Sequence, residues 1–140
     1  MPTEIGKMDK YATIWYHSDL NVVRLEWHHN AAPVTIVSKT WEELINIHVE
    51  KHQVTTIIAD MHNTKSVFLP DTIAWWGEVN VPKLFALGVR DIITVNSTSF
   101  LSNNANKRWQ GALGGINNYE VGSLEEALTF IQSGFEEESV

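Results

Sequence analysis

The chain has 140 residues, 44% of them apolar and 19% charged, so it can bury one core and is too apolar to be disordered. A formal charge of −7 offers no electrostatic footprint for nucleic acid or an anionic membrane, and the absence of cysteine removes disulfides, thiolate zinc sites and cysteine nucleophiles together. No run approaches the ~18 apolar residues of a membrane span, and the opening MPTEIGKMDK lacks a signal peptide's apolar stretch, so a cytoplasmic protein is expected.

Residues 1–10 read as a loose polar tail, 11–132 as a single α/β domain, and 133–140 as an acidic tail. YATIWYH (11–17) and NVVRLEWHH (21–29) are expected to form a hairpin around Ser18, Asp19 and Leu20. The second strand alternates: Val23, Leu25 and Trp27 on a core face, Val22, Arg24, Glu26 and His28 on a partly wet one. From Pro33 to His52, Val37, Trp41, Leu44, Ile45 and His48 recur at helical spacing. VTTIIAD (54–60) is β-branched without alternation, as a strand covered on both faces should be. A second helix is expected from Pro70 to Gly88, with Pro82 kinking or splitting it. VRDIITVN (89–96) is a further strand, 97–113 is weakly helical, and NNYEV (117–121) is a short strand. Ser123 and Glu126 form a capping box before the last helix. The expectation is a mostly parallel five-stranded sheet with about four helices, its first strand antiparallel through the hairpin.

Three pieces of this pattern, the hairpin ending in VVRLEWHH, the unit TTIIADMHNTKSVFLPDTIAWWGEVNVPKLFALGVRDIITV and the closing YEVGSLEEALTFI, together resemble the STAS-like (SpoIIAA-like) domains, in particular a small bacterial STAS/SEC14-like branch. The resemblance spans roughly residues 11–132. It implies a sheet with helices stacked alongside and a role in recognising a protein or small ligand rather than in catalysis. In regulatory members a Ser or Thr in a D-S-S-G-like turn takes a phosphate that switches partner binding. Here that place reads Leu69-Pro70-Asp71-Thr72-Ile73, which makes Asp71 and Thr72 the candidate switch while lacking the paired serines and the glycine.

Asp60 and His62 stand after a parallel strand, where ligands bind in open α/β sheets, and with His29 they form a candidate metal set. The competing explanation is structural: Asp60 caps a turn, Asp71 complements a helix dipole, and adjacent His28 and His29 point to opposite faces. His48 and His52 are spaced i,i+4, but His48 lies on the apolar stripe, where a hydrogen-bonded core histidine is expected. No nucleophile elbow or glycine-rich phosphate loop is present. Six tryptophans are the larger anomaly, because Trp75 and Trp76 cannot share one helix face. If Trp76 packs inward with Ile73, Asn80 and Leu84, Trp75 turns out with Val79, Lys83 and Phe68. Trp109, in the Asn-rich segment, is a second exposed candidate.

The reading is a non-enzymatic STAS-like domain without cofactor, binding a protein partner or itself as a homodimer through Phe68, Trp75, Val79 and Trp109. A carrier of a small apolar, lipid-like ligand is the alternative, and a metal-assisted hydrolase at Asp60, His62 and His29 comes third.

Overall fold

The computed structural model describes residues 2–29, 31–63, 68–95 and 115–134. One sheet runs β1 (Thr3–Met8), β2 (Ala12–His17), β3 (Val22–Trp27), β4 (Thr56–Asp60), β5 (Asp91–Val95) and β6 (Asn117–Val121), in spatial order identical to chain order. β1–β2 and β2–β3 are antiparallel; β3–β4, β4–β5 and β5–β6 are parallel. The α/β class and mixed sheet follow the expectation, but there are six strands rather than five. Among the described residues there are three helices rather than about four, and the weakly helical segment 97–113 lies outside them.

The extra strand overturns the loose-tail reading of residues 1–10. β1 is an edge strand with an irregular register between Glu4 and Gly6, and of its side chains only Met8 is buried. A strand paired on one side and exposed on half of its residues carries almost no hydrophobic signal. Gly6 lets its backbone approach the first helix, since a Cβ there would run into the Leu44 side chain. The turn into β2 closes through Tyr11 N–H donating to the Met8 carbonyl, with Asp9 in the left-handed region (φ 48°).

Helix α1 occupies residues 34–52 and α2 residues 70–87. Each is α-helical at both ends and π-helical between, over Trp41–Ile45 and Trp76–Asn80. α2 is therefore neither broken nor divided at Pro82: the π turn directly before it absorbs the mismatch, closing on Val81 N–H to the Trp76 carbonyl. Gly88 ends α2 at φ 108°, a conformation open to glycine. α3 (Leu124–Gln132) begins with the expected cap, Glu126 N–H donating to Ser123 Oγ at 3.1 Å.

α1 and α2 cover one face of the sheet. Val23, Leu25 and Trp27 of β3, Ile57 and Ala59 of β4 and Ile92 of β5 pack with Val37, Trp41, Ile45, Val49, Trp76, Val81 and Leu84. α3 covers the other face near β5 and β6, over Ile58, Ile93, Val95 and Val121. Between α1 and α2 two layers meet: Trp41 on Trp76, ring centroids 4.9 Å apart, and Asn46 Nδ2 donating to Asn80 Oδ1 at 3.1 Å. Asn46 Oδ1 and Asn80 Nδ2 are buried without a second hydrogen bond.

Candidate functional site

The face of β3 expected to be wet is the polar centre of the molecule. Alternation turns Arg24 away from α1 and α2, and the register sets it opposite Trp15 on β2 and Ile58 on β4. Its side chain therefore reaches diagonally to both neighbours. Arg24 Nε donates to His17 Nε2 at 3.0 Å, Arg24 Nη1 donates to Asp60 Oδ2 at 3.2 Å, and the guanidinium lies 5.5 Å from the Trp15 ring centroid. Beside it Trp15 Nε1 donates to Glu26 at 3.1 Å, and Thr13 Oγ1 meets His28 Nε2 at 3.0 Å.

Asp60 is the anchor. Its side chain is fully buried and that of Arg24 is 8% exposed, so the ion pair sits out of water. A carboxylate so placed stays charged only with a cation and donors around it. Arg24 supplies the cation; the backbone N–H and Nδ1 of His62 supply the donors to Oδ1. Because a carboxylate only accepts, His62 carries a proton on Nδ1, and in the neutral ring the lone pair then sits on Nε2. The His62 side chain is 43% exposed, so His62 is the solvent-facing member of the relay.

His17 ends the relay in the opposite sense. Arg24 is always a donor, so His17 Nε2 must accept and the ring is neutral. Burial first, and then the guanidinium, lower its pKa below the usual imidazole value.

The structure thus joins two of the three residues proposed as a metal set. Asp60 and His62 meet; His29 is exposed just past the end of β3, its N–H on the Tyr11 carbonyl. Among the described residues no three His, Asp or Glu side chains converge as a metal site. His48, expected to be a hydrogen-bonded core histidine, is half-buried between the rings of Tyr16 (4.3 Å) and His52 (4.2 Å), and its Nε2 has no hydrogen-bond partner.

The residues proposed for an interface separate. Phe68 is buried, edge-on to Trp27 at 5.2 Å, as part of the core that α1 and α2 cover. Trp75 is half-buried against the same core, Val79 is exposed, and Trp109 lies outside the described residues. Of the candidate switch, Asp71 is exposed in the first turn of α2, whereas Thr72 is fully buried, its hydroxyl donating to the Ala32 carbonyl at 3.0 Å. A kinase would reach that oxygen only after α2 had lifted from the chain before α1.

Sequence reasoning passed over Arg24 and His17. The available signal was an acid closing an unbroken apolar run, which requires a buried cation on a neighbouring strand. No family model, curated protein or solved structure matches this chain. No helix among the described residues is long and apolar enough to cross a membrane.

Proposed function

We propose that this chain is a STAS-like (SpoIIAA-like) binding domain of the cytoplasm that acts by associating with a protein partner, a second copy included, through the outward side of α2. The observation that carries this reading is the distribution of exposed large apolar side chains. Leu69 (37%), Val79 (48%) and Phe85 (42%) stand at the start and along the outside of α2, with half-buried Trp75 beside them. Four exposed large apolar residues occur among those described, and the fourth, Ile47, is on the adjoining α1. Single exposed apolar residues are ordinary, but three on one short element suit a contact surface.

Val79→Asp tests it without touching the core. Sedimentation velocity over a concentration series should show the wild type self-associating and the variant monomeric. If both are monomeric, a photo-crosslinking residue at position 79 should still capture one defined protein in cells, and the same residue at exposed Lys51 should not. Equal labelling from both positions would refute the surface. A lipid co-purifying in native mass spectrometry would favour the carrier reading instead.

A further inference from the structure

On the sheet face away from α1 and α2, we infer that His62 Nε2 is a nucleophilic imidazole nitrogen, primed by Asp60 to accept an acyl group from an activated ester. The relay supplies the three conditions such a nitrogen needs. The proton is held on Nδ1, because Asp60 Oδ1 accepts it. The carboxylate is held charged, because Arg24 donates to its other oxygen at 3.2 Å and the pair is shielded from water. The ring is open to solvent, since the His62 side chain is 43% exposed while Asp60 is wholly buried.

A free histidine side chain in water favours the proton on Nε2, so the arrangement inverts the ring's ordinary preference rather than following it. Asp60 and Arg24 are positioning residues in this scheme; only His62 meets the electrophile. His17, accepting from Arg24 Nε, fixes the guanidinium from behind and keeps Nη1 directed at Asp60.

The step balances without metal or oxidant. The Nε2 lone pair attacks the ester carbonyl carbon, an N–C bond forms, and the alcohol leaves as its anion. The positive charge developing on the ring is met by Asp60 across the Nδ1–H bond. Water then attacks the acyl-imidazole, the N–C bond breaks, the carboxylic acid departs, and the departing alkoxide takes up the proton released. The surface on α2 plays no part, so either proposal can fail alone.

Two measurements test it on the intact chain. Nitrogen-15 spectra of the histidine rings should show His62 as the Nδ1–H tautomer in the wild type and lose that signature in Asp60→Asn. A wild-type His62 protonated on Nε2 would overturn the inference. With p-nitrophenyl acetate as probe, His62→Gln should remove at least about tenfold more of the protein's esterolysis than His29→Gln or His52→Gln, two exposed histidines with no carboxylate partner among the described hydrogen bonds. Equal losses from the three variants would reduce His62 to an ordinary surface imidazole. His62→Gln changes a half-exposed side chain, and circular dichroism matching the wild type keeps the comparison valid.

Discussion

Removing Arg24 is the sharpest perturbation this structure offers. Arg24→Met keeps most of the stem that packs near Trp15 and deletes only the guanidinium. Asp60 is then a fully buried carboxylate left with His62 alone, and His17 loses the donor that satisfied its Nε2. Breaking a buried pair from one side costs about 3–5 kcal/mol, against ~0–1 kcal/mol for an exposed pair. A domain's whole stability is about 5–15 kcal/mol, so the variant should lose roughly a fifth of it or more. In thermal terms that is a fall of about 10–15 °C in Tm. Urea unfolding followed by far-UV circular dichroism checks the figure, and moderate salt should not erase the difference, because a buried pair is weakly screened. Arg24→Met/Asp60→Leu, which removes both charges, should recover most of the loss. A loss below about 1 kcal/mol for Arg24→Met, or a double variant no better than the single one, would refute the buried-pair account.

Two further outcomes follow from the same accounting. His17 and His48 both have folded pKa values lowered from the ordinary 6.5: His17 by burial and then Arg24, His48 by burial and then His52 and Lys51. Their unfolded forms take protons first, so stability is level above about pH 6.5 and falls as the pH drops through that value toward the folded pKa. His17→Gln, whose amide oxygen can still accept from Arg24, should flatten the slope by up to ~1.4 kcal/mol per pH unit, read from urea midpoints between pH 7 and 5; an unchanged slope would clear His17 of the effect. At the helix seam, Asn46→Leu alone strands Asn80 and should cost about 1–3 kcal/mol, while Asn46→Leu/Asn80→Leu should cost less than the single change in the same assay.

What could be read in advance follows from how each segment meets water. β3 declared its core face because Val23, Leu25 and Trp27 alternate, and β4 declared itself buried because nothing in TTIIAD alternates. The same alternation misled at Arg24, since a charged residue facing away from the core reads as exposed unless its partner is known. That partner lies 36 residues on, a distance no local pattern spans. β1 escaped because an edge strand with one buried side chain resembles a polar tail. The π turns did leave a trace in spacing: buried Val37, Trp41, Ile45 and Val49, and Thr72, Trp76, Asn80 and Leu84, recur at strict intervals of four, wider than the about 3.6 residues of an α-helical turn. Phe68 and Thr72 looked available because loop aromatics and first-turn hydroxyls often are; here each is closed over by its packing.

The sheet's strand order has a kinetic consequence. Every strand pairs only with the strands before and after it in the chain. No pairing has to wait for a distant segment, so assembly can proceed by successive addition, each new strand docking on an edge already formed. Such a topology keeps loop-closure entropy low and refolding fast for a sheet with three parallel pairings. The slow addition should be β5, which must close the 30 residues from Met61 to Arg90 before it can pair with β4, against 28 residues before β4 and 21 before β6. A partly folded chain would thus expose β4 as its open edge.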